Sequence, residues 1–301
     1  MATTVNVDST FSGKWAGDYI RSAFQANDTL QGITVKENIE FKAIVKRLAD
    51  EIDFGAANCS FNPTGTVAIT ERVLELKKFQ VQRQICVNSF LQDWNAKDAQ
   101  NGELGTALTD ALIGNILEGV AAKNEEYVWT GDATNTNQYD GLLTLIGQDA
   151  GGDINFVTSP VAIDSTNVVA KINATIADMP AAVKGAAEKP VLYVSTDVWE
   201  AFMIASAAAG NGWYTYGGAE VPKSYLGMYK FHVCPGLPSS TIVMARPTNL
   251  WFGTNLVNDW NNITVADMRQ FGEDNVRFSL KFFAGAQYGI GSEIVAYSTW
   301  F

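Results

Sequence analysis

Between Asn101 and Trp129, Leu104, Leu108, Leu112, Ile116 and Val120 recur at every fourth residue, with Ala107 and Ala111 beside them. That spacing predicts one long helix with a single apolar stripe, and it constrains the chain more than any other stretch. Thr109, Asp110, Glu118 and Lys123 fall off the stripe and form no chemical motif. Gly114 and Gly119 each cost a helix about 1 kcal/mol relative to alanine. They are tolerated where packing compensates or where another backbone comes close. A one-sided helix of this length is a spine on which other elements are laid.

Upstream of it the pattern is that of strands. Ile39, Phe41, Ala43 and Val45 alternate with Glu40, Lys42, Ile44 and Lys46, and a turn-rich stretch follows at Asn58–Gly65. In the run after Thr66, the residues Val67, Ile69, Glu71, Val73, Glu75, Lys77, Phe79 and Val81 share one face. Neither face is cleanly apolar, and two such strands do not make a stable sheet alone. The pattern predicts an extended two-stranded arm that completes its packing on another copy of the chain; an edge hairpin of a single domain is the alternative. Residues 1–34 carry a polar lead and a short helical pattern, with Trp15, Tyr19 and Ala23 on one face and Ile20 and Phe24 beside them. So small a segment cannot bury its aromatics alone and is expected to dock on the main body or on a partner.

Past the spine, small polar residues and two glycines from Trp129 to Leu143 predict a surface loop. A second helix is expected from Ser165 to Gly185, with Val168, Ile172, Ile176 and Val183 buried. Pro190 to Ser195 reads as a buried strand, Asp197 with Glu200 as a capping box, and 227–233 and 241–245 as short strands. Residues 162–258 thus form an α+β unit, and alternation at Val276, Phe278, Leu280 and Phe282 predicts that the chain ends in strands.

At 301 residues the chain can bury a large core, and 47% hydrophobic with 18% charged residues fits an ordered protein. The net charge of −11 opposes a non-specific grip on nucleic-acid phosphates. Residues 35–97 are near neutral, so the acidity lies in the rest of the chain. Cys59, Cys86 and Cys234 are far apart and are expected to be buried free thiols. The N-terminus shows no signal-peptide pattern, and no run is long and apolar enough for a membrane span, so no membrane partner is expected.

Catalytic motifs are missing. The single histidine, His232, has no matched nucleophile around it and is expected to be structural. Neither G-x-S-x-G nor a Walker or dinucleotide glycine motif occurs. Asp132, Asn135, Asn137 and Asp140 supply oxygen atoms, yet their spacing does not match a calcium loop, and Asp149 and Asp153 carry no more weight. The expectation is no enzyme, no cofactor and no metal; an acidic hydrolase using paired carboxylates is the competing class.

Several stretches resemble a known family in their order. Gly65-Thr-Val-Ala-Ile-Thr-Glu-Arg-Val-Leu-Glu-Leu-Lys-Lys-Phe followed by Ile85-Cys-Val-Asn-Ser-Phe, then Trp129-Thr-Gly-Asp with Tyr139-Asp-Gly-Leu-Leu, are similar to passages flanking the spine in major capsid proteins of tailed double-stranded DNA phages. The first looks like those of phages infecting Bacteroidetes-type hosts. Pro190-Val-Leu-Tyr-Val-Ser-Thr-Asp-Val-Trp, Leu226-Gly with Val233 and Leu237-Pro, and Asn249-Leu-Trp-Phe-Gly-Thr-Asn resemble the family's axial domain. The resemblance implies an α+β tailed-phage major capsid fold, shared with encapsulins. Its parts would be an N-terminal arm (1–34), an extended β-hairpin arm (35–92), a peripheral domain with the spine helix (93–161), an axial α+β domain (162–258) and a return to the peripheral sheet (259–301). It implies a shell of hexamers and pentamers with hairpins laid across neighbours, DNA enclosed without sequence-specific binding, and a portal as partner. Decoration proteins and a separate scaffold are further possible partners. It places the protein in the virion, assembled in the host cytoplasm. Trp15, Phe24, Phe41, Lys46, Arg47, Phe79 and Trp94 are the expected contacts between copies. An encapsulin-type compartment shell is the alternative.

Overall fold

A computed structural model describes residues 28–50, 67–86, 106–149, 152–208, 224–225, 228–255, 264–273 and 275–301. A short helix α1 (Asp28–Gly32) leads into β1 (Thr34–Lys36). Strands β2 (Lys42–Asp50) and β3 (Val67–Glu75) pair antiparallel in continuous register from Lys42↔Glu75 to Asp50↔Val67, as a two-stranded sheet of their own. The chain then continues into β4 (Lys77–Cys86), which pairs along its whole length with a strand near the C-terminus.

The change of partner explains why neither face of this run read as apolar. Leu74 and Leu76 are buried with Ile39 and Trp251 at the hairpin base. Beyond Leu76, Phe79 and Val81 are half-buried while Lys78, Gln80 and Gln82 are exposed. The strand is thus covered on one side at the base and on the opposite side once it joins the larger sheet. Alternation cannot show a switch of that kind.

The spine helix α2 (Thr106–Thr130) forms as expected. Of the predicted stripe, Leu104 lies outside the described residues, and so do the side chains of Leu108 and Leu112. Ile116 and Val120 are only half-buried; the buried positions are Leu117, Asn124, Glu125, Val128 and Trp129. A strict four-residue spacing drifts about 40° per step around a helix of 3.6 residues per turn. The stripe therefore winds away from the core before the helix reaches it.

Helix α3 (Leu142–Gln148) buries Leu142, Leu143 and Ile146, and β5 (Asn155–Phe156) follows. The expected 165–185 helix is two, α4 (Val168–Asp178) and α5 (Ala181–Gly185). Pro180 between them lacks the N–H a continuous helix needs and drives Met179 into extended backbone. Val168, Ile172 and Val183 are buried and Ile176 packs beside them, as their spacing predicts. Next come β6 (Val191–Val194), α6 (Thr196–Ala208), β7 (Ser224–Tyr225), β8 (Tyr229–Val233) and β9 (Ile242–Ala245). Helix α6 begins a residue before the predicted cap; the Asp197 carboxylate instead accepts the Ser240 N–H at 2.8 Å. The chain closes with β10 (Leu250–Gly253), β11 (Thr264–Asp267), β12 (Asn275–Tyr288) and β13 (Val295–Tyr297).

Two sheets organise these elements. One runs β1-β10-β12-β11 with β4 also on β12; the other runs β5-β13-β9-β6-β8-β7. The C-terminal segment expected to return to the peripheral sheet serves both, β12 in the first and β13 in the second. Strand β10, from the stretch assigned by resemblance to the axial domain, lies in the first sheet. A single apolar cluster joins them, holding Trp129, Leu143 and Phe252 together with Tyr193 and Val243. A second cluster, around Ile172, Leu192, Phe202 and Met244, belongs to the six-stranded sheet and its helices.

Candidate assembly surfaces

On one face of the hairpin, cross-strand neighbours alternate in character. Lys42 pairs with Glu75 at 2.9 Å and Lys46 with Glu71 at 3.3 Å. Between them Ile44 lies opposite Val73, the two 59% and 42% exposed. Phe41, at the root, is 58% exposed. Among the described residues this apolar pair, framed by two ion pairs on a two-stranded ribbon, has no covering element. Each exposed ion pair contributes at most about 1 kcal/mol to the subunit, while the apolar pair stabilises only what covers it.

The base of the ribbon is fixed. From β3, Arg72 donates to the Asp149 carboxylate at 2.9 Å and lies over the Tyr288 ring, 4.2 Å from its centroid. The Tyr288 hydroxyl donates to the same carboxylate. These two hydrogen bonds, with the Arg72 charge, hold Asp149 below the usual carboxylate range. Desolvation and the Asp149 carboxylate push the Tyr288 hydroxyl up. The Leu76 N–H donates to the Phe41 carbonyl at 2.9 Å, and the Gln287 side chain to the Val73 carbonyl at 3.1 Å. The arm's exit is thereby tied to α3 and β12.

The exit of the N-terminal segment is tied as firmly. Glu125, buried on the spine, accepts the Thr29 N–H at 3.2 Å, the Thr29 hydroxyl, and the Gly236 N–H at 3.4 Å. The Trp129 indole N–H donates to the Thr29 hydroxyl oxygen at 2.7 Å. The Tyr193 hydroxyl donates to the Gly32 carbonyl, and His232 Nε2–H to that of Asp28, each at 2.5 Å. Burial raises the Glu125 pKa, the Thr29 and Gly236 donors lower it in part, and Asp28 adds to the rise. Gly236 is required here, because a Cβ would come 2.1 Å from the Glu125 carbonyl oxygen. His232 is thus an anchor for α1. Sequence reasoning missed Glu125 because it lies off the apolar stripe and reads as a solvated acid.

Between α2 and β4 runs an open groove of about 950 Å³. Phe79, Val81, Ile116, Val120 and Phe282 supply its apolar surface, and Lys78, Arg83 and Lys123 its charge. Strand β4 has a ladder partner only in β12 among the described residues.

Of the expected contacts between copies, Trp15, Phe24 and Trp94 lie outside the described residues. Phe41 and Lys46 sit on the hairpin, exposed. Arg47 holds the register position opposite Thr70, its side chain outside the description. Phe79 packs within its own subunit, its ring 5.8 Å from that of Tyr139 and 5.5 Å from that of Phe282, and also lines the groove. Of the thiols expected to be buried, Cys234 is buried and Cys86 is exposed; Cys59 lies outside the description. The loop acids are used locally: Asp132 accepts the Thr134 N–H at 2.8 Å, and Asp140 that of Ala133 at 2.8 Å.

No family model matches the chain, and no curated protein does. Solved structures do match. The capsid of an empty GTA particle aligns with a TM-score of 0.56 at 13% identity, over 98% of this chain and 94% of that one. A chain from Gordonia phage Cozz aligns with a TM-score of 0.56 at 12% identity, over 90% and 86%. A virus-like particle from Pyrococcus furiosus aligns with a TM-score of 0.53 at 12% identity, over 93% and 98%. Across nearly its whole length, the chain has the α+β fold of tailed-phage major capsid proteins.

Proposed function

We propose that this protein is the major capsid protein of a tailed phage, a structural subunit that self-assembles into hexamers and pentamers of an icosahedral head around double-stranded DNA. The observation that carries the reading is the anchored ribbon with its uncovered Ile44–Val73 pair, on a chain whose fold is that of shell subunits. Among the described residues the ribbon leaves apolar area and strand edges uncovered, and identical molecules can close such contacts by symmetry. The role is structural, without catalysis: the polar side chains singled out above orient elements of the chain. The net charge of −11 suits a wall that lets DNA pack without adhering. A portal is a partner in this reading, decoration and separate scaffold proteins are further ones, and assembly takes place in the host cytoplasm. The resemblance of the hairpin-to-spine passage supports a Bacteroidetes-type host.

A second reading, a cargo compartment, draws on the likeness to the Pyrococcus furiosus virus-like particle. Sedimentation and negative-stain microscopy of the purified protein test both. Closed particles are expected; a small oligomer at high concentration overturns them together. Particles assembled in a phage-infected host contain genomic DNA in the first reading and protein cargo in the second.

A further inference from the structure

We infer that the outward face of the hairpin stacks on the same face of a second copy's hairpin, about a two-fold axis running along the strands; this rests on the shell reading above. The face consists of three cross-strand pairs, Lys42 with Glu75, Ile44 with Val73 and Lys46 with Glu71. Both bases lie on β2 and both acids on β3, with the apolar pair between them. The opposite face is occupied at its base, where Leu74 is buried against Ile39 and Trp251 and Arg72 reaches Asp149. Among the described residues the outward face has no covering element.

Symmetry and charge together select the occupant. A two-fold contact sets one patch on its own copy, so the patch must complement itself. Two ribbons can meet face to face about an axis across the strands or about one along them. The axis across the strands sets β2 on β2 and β3 on β3. Lys42 would then face Lys46 of the second copy, and Glu71 would face Glu75 of the second copy, like charges throughout. The axis along the strands sets β2 on β3. Lys42 then faces Glu75 of the second copy, Lys46 faces Glu71 and Ile44 faces Val73, and each contact occurs twice. The pattern is therefore self-complementary about one axis and repulsive about the other. The four charged side chains are between 45% and 68% exposed, so each can take a second partner without giving up its first.

The stack leaves room for both molecules. Leu74 and Arg72 turn the other face of each ribbon to its own body, so the two bodies lie on the outer sides with their hairpin roots at the same end. Along the strands the patch extends roughly 13 Å at about 3.3 Å per residue. Six side chains a molecule fall well short of the roughly 20–30 residues a side of a stable pair. The contact thus adds to a shell held by other surfaces and makes no free dimer.

Exchanging the charges within the ribbon tests the assignment on the full chain. A variant carrying Lys42→Glu, Lys46→Glu, Glu71→Lys and Glu75→Lys keeps every ion pair inside the ribbon and every facing pair between two variant ribbons. Alone it should form particles at the unaltered protein's yield. Co-expressed with the unaltered chain under a different tag, it should share particles about tenfold or more below random mixing, because every facing pair then joins like charges. Random mixing overturns the assignment. Poor assembly of the folded variant alone also overturns it, and gives the face to a surface of fixed charge elsewhere on the neighbour. A second pair of chains decides the matter if the exchanged chain does not fold by circular dichroism. Ile44→Asp and Val73→Lys should each lower particle yield about tenfold alone, each burying an unpaired charge. Equal amounts mixed should regain most of that yield, since the acid of one chain faces the base of the other. No recovery, or undiminished yield of either chain alone, overturns the stack and leaves the shell reading standing. An unaltered protein that forms no particles overturns the shell reading itself.

Discussion

Arg72, Asp149 and Tyr288 decide the angle at which the hairpin leaves the body. Their geometry predicts that Arg72→Ala costs about 1 kcal/mol in thermal unfolding, the partial exposure of the pair screening the rest. Amide exchange in β2 and β3 should rise with it. Because Asp149 is held below its ordinary range, its stabilisation is complete above the unfolded carboxylate pKa and is lost as pH falls through the depressed folded value. Asp149→Asn should remove that acid-side dependence. Glu125 has the opposite sign. Its folded pKa is raised, so stability is greatest below the ordinary carboxylate pKa and declines as pH rises toward the folded value. In Glu125→Gln this alkaline-side decline should flatten in melting curves taken across pH; an unchanged slope would refute the role. Neither carboxylate was visible as special in sequence, since burial and partners from residues about a hundred positions apart create both shifts. The Trp129…Gly131…Gly141 passage was expected as a surface loop, whereas its two ends are buried and packing is the reason. Trp129 is fully buried, the Gly141 N–H donates to the Gly131 carbonyl at 2.8 Å, and a Cβ on either glycine would strike backbone at 2.5 Å or less.

At the level of elements, the hairpin is separable from the body only in part. Leu74, Leu76 and Phe79 pack on the subunit's own apolar clusters, so a deletion reaching them should unfold it, at about 2–5 kcal/mol for each large side chain lost. Replacing residues 44–73 with a short Gly-Ser turn removes Arg72 but spares those three. That chain should remain folded by circular dichroism and fail to form particles in sedimentation; closed particles of ordinary size would remove the arm from the assembly. The spine and the hairpin strands were predictable from periodicity; the second helix was expected as one piece over 165–185 and is two. The signal for that break, Pro180, was passed over; proline forbids the bond a continuous helix would make there.

At the scale of the whole molecule, two larger sheets share an apolar core among the described residues, and the net charge of −11 bears on the proposed enclosure of DNA. In a mobility-shift assay at physiological salt, the purified protein should leave double-stranded DNA unshifted. A salt-sensitive shift would contradict a repelling inner wall. The amino-acid order alone determined the element types, the arm-before-spine sequence and the lack of catalytic motifs, because periodicity, turn residues and spacing are local properties. Only the tertiary structure decided which side of the Val67–Cys86 run is covered, that the C-terminal strands serve both sheets, and that among the described residues a groove lies between α2 and β4. Those are matters of which distant segments meet, and local pattern carries no record of that.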